Sequence, residues 1–370
     1  MTFGERRQFD QFDIAPPPEN AEDVARYTGA IQSVVGTDYA VRLMYPERIG
    51  LDKHRYEYGF TRDTKGVKPD GFAKTVRLEG NGDQVARMEW ESKVTAVTNA
   101  LGIPTPRLLH PYTETDRDLG VIHLEALDGR YGEALPGTRL TASAPPEYGR
   151  WAANLLANAT GTEIPKELDP ERIETHDERS ANPEKFWGIW EGDYAKTIDL
   201  PPESQAILTP AEVNQFREIL AAVRQELEPA IQAAENPDRW WFVHNDASPG
   251  NTFFDREQKS SKLIDMEYSG ATHNEALACI TDWGNFYARC WPNPEMQQNF
   301  IKTLVDATDA KIDQRKAIWI KGAMAFTTIY LAKFAMNPDH PEHDMAKALL
   351  RTLPERLQQL DSLLHSDQIE

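Results

Sequence analysis

Trp240-Trp241-Phe242-Val243-His244-Asn245-Asp246-Ala247-Ser248-Pro249-Gly250-Asn251-Thr252-Phe253-Phe254 and, downstream, Lys262-Leu263-Ile264-Asp265-Met266-Glu267-Tyr268 decide how the rest of this chain is read. An apolar run enters a polar loop. The loop leaves into a second apolar run, and a later short run ends on acids, with Asp265 fourteen residues after Asn251. A carboxylate such as Asp246 can take a proton from a hydroxyl. Asn251 and Asp265 offer hard oxygen ligands of the kind magnesium prefers. Taken alone, His-Asn-Asp is a polar hairpin making turn bonds. The Asp-to-Asn spacing and the second acidic strand end argue against that plainer reading.

H-x-D-x-x-x-x-N followed by I-D-x-E has the spacing of the protein-kinase catalytic loop, with Asp265 where those enzymes carry their metal-binding Asp. In full, H-N-D-x-x-x-x-N with I-D-x-E-Y resembles the choline/ethanolamine kinases and their relatives, the aminoglycoside phosphotransferases. Asn245 and Glu267-Tyr268 lean toward the choline kinase branch. The resemblance implies an α+β, bilobal protein-kinase-like fold, with a small antiparallel-sheet N-lobe and a mostly helical C-lobe. It implies ATP and Mg2+ as cofactors and transfer of the γ-phosphate to a hydroxyl of a small molecule. Asp246 is then the catalytic base and His244 braces its loop, while Asn251, Asp265 and Glu267 serve the metal. Thr281-Asp282-Trp283-Gly284-Asn285-Phe286 is similar to the family's F-D-I-G-N-H-F, which makes Asp282 a structural brace for the catalytic loop. The stretch from Trp291 to Ile301 is similar to Y-P-x-x-E-x-Q-x-x-F-I of choline kinases. The likeness runs from about residue 38 to about 305 and is most specific between 240 and 301.

Bulk properties bound the alternatives. The chain has 370 residues, enough for two domains with a sizeable core. Fifty-nine acids against 40 Lys and Arg give a net charge of −19, which speaks against a nucleic-acid partner. That charge suits a cationic substrate, and equally a well-solvated surface. Two cysteines, Cys279 and Cys290, make no disulfide framework and match no zinc spacing, which fits a reducing cytoplasm. The N-terminus has no apolar core of a signal peptide, and the apolar stretch near Ile318 to Phe334 is too charged for a membrane span.

Along the chain, residues 1–37 read as a polar lead broken by Pro16-Pro17-Pro18, 38–128 as the N-lobe, and 129–370 as the C-lobe. Strands are expected at Tyr39 to Met44, Arg55 to Thr61 and Phe72 to Leu78. A helix follows, with Asp83 as its cap and Trp90, Val94, Val97 and Leu101 inward, stopped by Gly102 and Pro104. Glu91 on this helix stands where the family carries its ion-pairing Glu. Its partner is a cation of the third strand, and Lys74 and Arg77 compete for the role. Three residues apart, they lie on opposite faces. Arg77-Leu78-Glu79-Gly80 is close to the R-[LI]-Y-G of choline kinases, so Arg77 is preferred and Lys74 is the alternative. Either one would be a nucleotide contact. The loop Glu47 to Arg55 holds one glycine where the family is glycine-rich, so Lys53, His54 or Arg55 would have to reach phosphate by side chain. This departure keeps a nucleotide-binding pseudokinase or scaffold in play. Backbone from Glu125 to Leu127 stands where the family's hinge would meet adenine.

In the C-lobe, a helix is expected from Glu147 to Ala159, and an acidic, Pro-rich stretch from 162 to 208. The aromatic cluster Phe186 to Tyr194 is either a substrate-side insertion or, preferably, a packing helix. A capped helix opens at Thr209-Pro210-Ala211-Glu212. Two closing helices fall at 312–336 and 341–365. Trp283, Tyr287 and Trp291, with Trp319 and Tyr330, lie in the stretch from which choline kinases draw their aromatic box. They could face a quaternary ammonium or simply fill the core. A cationic amino alcohol is therefore the leading acceptor, and an aminoglycoside or sugar-type hydroxyl the alternative.

Overall fold

The structure is a computed structural model that describes residues 21–44, 56–63, 69–127, 144–198 and 208–366. The chain divides into two units, Met1–Ala134 with Lys262–Glu267, and Leu135–Ser261 with Tyr268–Glu370. The first unit contains α1 (Ala21–Val35), β1 (Tyr39–Leu43), β2 (Glu57–Asp63), β3 (Gly71–Arg77), α2 (Gly82–Ala100), β4 (Leu108–Glu114) and β5 (Leu119–Glu125). Its strands form one antiparallel sheet in the order β1-β2-β3-β5-β4. This is the expected α+β class.

Helix α1 was not expected. Val24, Tyr27, Ala30, Ile31 and Val35 recur at helical spacing and are buried. They pack with Leu43, Ala73, Leu119 and Val121 on one face of the sheet. The opposite face carries Phe60, Phe72, Val76, Ile122 and Leu124 against Met88 of α2. Strand alternation thus sends Ala73 to α1 and Phe72, Lys74 and Val76 to the α2 side. Helix α2 starts one residue before the expected cap. Asn81 precedes it without a side-chain capping bond, and Asp83 sits in the first turn, where its charge suits the helix dipole. The loop Glu47 to Arg55 and the turn 128–130 lie outside the described residues.

A buried histidine gives the sheet a pH dependence. His123 is 2% exposed, stacks on His110, and shares a 2.7 Å hydrogen bond between Nε2 and Thr61 Oγ1. Gly71 lies beside this pair, and a Cβ there would overlap both His123 Nε2 and Thr61 Oγ1. Burial, and after it the neighbouring His110, pushes His123 down to about 4. The unfolded chain therefore binds a proton that the fold refuses between about pH 6.5 and 4. Stability from this site is complete above pH 6.5 and is lost as pH falls toward 4, by at most about 3 kcal/mol. Urea unfolding of wild type and His123→Gln should show a stability gap that narrows across this window. A constant gap would contradict the assignment.

The second unit is mostly helical. It holds α3 (Glu147–Ala159), α4 (Pro183–Ile198), α5 (Pro210–Ala234), β6 (Trp241–Val243), β7 (Thr252–Asp255), β8 (Ser260–Leu263), after whose first residues the chain passes to 262–267, β9 (Gly270–Thr272), α6 (Glu275–Arg289), α7 (Pro294–Ala307), α8 (Gln314–Ala332) and α9 (His343–His365). Helix α5 opens with the expected capping box, Thr209 and Glu212 each bonding the other's backbone. Its stripe of Phe216, Leu220, Val223, Leu227 and Ile231 is buried. The aromatic cluster of α4 is a packing element, with Phe186 and Trp190 buried and the Phe186 ring 4.2 Å from Phe326 of α8. Helix α6 is buried from Ala276 to Ala288, and Gly284 lets α8 approach, since a Cβ there would strike Thr327 Oγ1 and Ala323 O. Among the described residues no helix is long and apolar enough to cross a membrane.

Candidate active site

In the first unit the site is built around one ammonium. Lys74 projects from β3 on the α2 side with its side chain 5% exposed. Its Nζ donates to Glu91 Oε2 at 2.8 Å and to Asp265 Oδ1 at 3.3 Å, and lies 3.5 Å from Glu267 Oε2. The Tyr56 ring lies 4.1 Å from the same nitrogen. Burial would lower Lys74, but Glu91, Asp265, Tyr58 and Glu267 together raise it well above the ordinary lysine value. The cation is therefore held charged by its carboxylates. Glu91 is on the buried face of α2, and Asp265 stands in left-handed backbone at φ 62°, which Asp tolerates better than most residues.

Arg77 does not pair with Glu91. The alternation of β3 was read with the right parity, but the face carrying Ala73 and Arg77 is covered by α1. There Arg77 donates to Tyr27 Oη at 3.2 Å and to Asp23 Oδ1 at 3.1 Å. The Glu91 partner is Lys74, and the preference for Arg77 is corrected.

At the end of β5, the Glu125 N–H bonds Arg107 O and the Ala126 N–H bonds Asp70 O. The Glu125 carboxylate accepts from Arg107 N and Lys262 Nζ. Those two N–H groups are thus used within the unit, and Leu127, 7% exposed, follows them.

In the second unit, β6 delivers a buried His244 and Asn245 to the loop. Asp282 of α6 is wholly buried and accepts the backbone N–H groups of both, each at 2.8 Å, and the Thr160 hydroxyl at 2.9 Å. Burial raises its carboxyl, opposed by those donors. Ser269 donates to His244 O at 3.2 Å. Asn245 takes left-handed backbone at φ 64°, and its side chain is fully engaged: Oδ1 accepts from Ser180, while Nδ2 donates to Thr175 and to Tyr268 O. Asp246 follows, with Oδ2 accepting from Asn251 Nδ2 at 2.6 Å and Oδ1 from Asn285 Nδ2 at 3.3 Å.

Sequence reasoning missed Arg179. It forks onto Asp177, Nε to Oδ1 at 2.9 Å and Nη2 to Oδ2 at 2.7 Å, and donates to Asn245 O at 2.6 Å. Burial lowers it, but the Asp177 bonds raise it above an ordinary arginine. Its guanidinium lies 5.2 Å from the Tyr330 ring. The Asp-x-Arg spacing in an otherwise acidic stretch was the available signal.

The aromatic candidates divide. Trp283 is 1% exposed and donates to Leu156 O, and Tyr287 is 5% exposed beside Arg356. Both are core residues of the all-round buried α6, so their assignment to the substrate is corrected. Trp291 is half-buried at the end of that helix.

The family model of the phosphotransferase enzyme family matches residues 59–273, and the chain belongs to that family. "Probable ethanolamine kinase B" of Dictyostelium discoideum is 26% identical over 132 residues, covering 33% of this chain. The matched stretch spans 28% of the length of that relative. Among solved structures, an aminoglycoside phosphotransferase of Alicyclobacillus acidocaldarius is similar with a TM-score of 0.50 at 13% identity, covering 90% of this chain and 94% of that one. A choline/ethanolamine kinase family protein of Mesorhizobium loti gives 0.43 at 16% identity, covering 83% and 89%.

Proposed function

We propose that this chain is an ATP-dependent kinase that transfers the γ-phosphate to a hydroxyl of a small molecule. The observation that carries the reading is the buried Lys74 ammonium shared by Glu91 and Asp265. A cation this costly to bury is expected where phosphate charge must be met. Lys74, oriented by Glu91, contacts the nucleotide phosphates, and backbone at Leu127 meets the base. Asp246 accepts the proton of the attacking hydroxyl. His244 and Asp282 hold its loop.

Within the first unit, the residues that would hold magnesium are Asp265 and Glu267. Among the described residues no three or more His, Cys, Asp or Glu form a metal cluster. Magnesium commonly takes one or two carboxylates and completes its shell with phosphate and water. The donors fit: Glu267 Oε2 is buried, makes no hydrogen bond and faces the Lys74 ammonium at 3.5 Å, and the Asp265 side chain is 42% exposed. When bound, the ion would neutralise phosphate oxygens.

An amino alcohol is the leading acceptor, supported by the ethanolamine kinase relative and by His-Asn-Asp with Ile-Asp-Met-Glu-Tyr. With Trp283 and Tyr287 in the core, a quaternary ammonium box is the less favoured form of that reading. An aminoglycoside or sugar-type hydroxyl is the alternative. The loop that suggested a pseudokinase lies outside the described residues, and the intact Lys74, Asp246, Asn251 and Asp265 favour the enzyme.

Magnesium-dependent ADP formation with ethanolamine, choline, streptomycin and simple sugars tests the proposal. Turnover above the water background with one of them is expected. Tight ATP binding without turnover on any would favour the scaffold.

A further inference from the structure

Asp246 is held by two amides, and only Asn251 belongs to its own loop. The other, Asn285, lies one turn short of the end of α6 and is 3% exposed. An asparagine amide has two unlike ends. With nitrogen toward Asp246 it donates to the carboxylate, and with oxygen toward it the two acceptors repel.

Arg289 fixes that choice. Its Nη1 donates to Asn285 Oδ1. A guanidinium has no acceptor, so only the oxygen end of the amide can face it, and the nitrogen end is left for Asp246. Arg289 is itself held by Glu342, Nη2 to Oε1 at 3.2 Å, with the two side chains 14% and 12% exposed. Glu342 is the residue from which α9 departs.

We propose that Asn285 is a positioning residue for Asp246, its amide oriented by Arg289 and Glu342. Arg289 donates both to Glu342 and to Asn285, and Asn285 donates in turn to Asp246, so each group meets its neighbour with the only end that bonds. The inference rests on Asp246 being the base. It adds that the geometry of the base is set from the start of α9, about a hundred residues further along the chain than Asp246.

The test is a double-mutant cycle on the full chain, read as ADP formed from MgATP with ethanolamine, streptomycin or water as acceptor. Asn285→Ala should lower kcat by about 10- to 100-fold, the scale of a small misplacement of a reacting group, with ATP KM unchanged. Arg289→Met should cost about tenfold alone and nearly nothing in the Asn285→Ala background, because it acts through that amide. Asn285→Asp keeps the shape but sets a carboxylate against Asp246, so it should be worse than Asn285→Ala. A purely structural role would rank them the other way. Glu342→Gln is the milder second variant if Arg289→Met fails to fold, and its loss should also vanish in the Asn285→Ala background.

Additive losses, or an Asn285→Asp enzyme as active as wild type, would overturn the inference alone, provided Asp246→Asn is inactive. A fully active Asp246→Asn, or no ADP from wild type with any acceptor, would remove the functional reading and this inference with it.

Discussion

Asp246→Asn should lower kcat by about 10²–10⁴-fold, the usual worth of a general base, while ATP KM stays near wild type. The substitution is nearly isosteric. Its oxygen can still accept one of the two amide bonds now made by Asn251 and Asn285, but its nitrogen cannot take a proton from a hydroxyl. The loop itself should persist, because Asp282 holds the backbone of His244 and Asn245 and does not touch Asp246's side chain. Steady-state kinetics at saturating acceptor separate the two constants. An unchanged kcat would take Asp246 out of the mechanism.

Lys74→Met should have the second large effect, on both stability and ATP use. It leaves Glu91, 3% exposed, without its cation, and unpairing a buried ion pair costs about 3–5 kcal/mol. Adding Glu91→Met should recover much of that stability, since two apolar side chains can replace a buried pair. It should not recover ATP use, so the pair of variants separates folding from function. Arg77→Met is the contrast. Its link to the partly exposed Asp23 is worth at most about 1 kcal/mol, and ATP KM should not move. Chemical denaturation and ATP kinetics on the three variants check this. A raised ATP KM in Arg77→Met and not in Lys74→Met would reverse the assignment.

The Lys74 and Arg77 comparison shows what the sequence could and could not tell. Strand period is local, so the parity of β3 was readable: Ala73 and Arg77 on one face, Phe72, Lys74 and Val76 on the other. Which face meets Glu91 depends on what covers the sheet. That was decided by α1, whose apolar residues are spread among Glu22, Asp23, Arg26 and other polar positions and follow a proline run. With α1 read as a polar lead, Asp23 and Tyr27 were unavailable as partners for Arg77. Short-range signals fared better. The capping box at Thr209 and Glu212, the loop from His244 to Asn251 and the Asp282 position were all legible, because each is fixed by spacing within one element or by a motif.

Burial of aromatics was not legible in the same way. Trp283 and Tyr287 sit in a helix packed on all sides, and a helix buried all round has no polar face to mark its inside. Asp177 with Arg179, and Asn285 with Arg289, are local pairs, but the contacts that give them a role, Arg179 to Asn245, Asn285 to Asp246 and Arg289 to Glu342, join distant parts of the second unit. No periodicity announces such contacts.

The central claim is phosphoryl transfer to a hydroxyl with Asp246 as base. Phosphorus NMR of MgATP incubated with the wild-type chain and the acceptor panel tests it most directly. The account predicts ADP together with a new phosphomonoester resonance from one acceptor, both lost in Asp246→Asn. A phosphomonoester formed equally well by Asp246→Asn, or bound ATP that yields none with any acceptor, would contradict it.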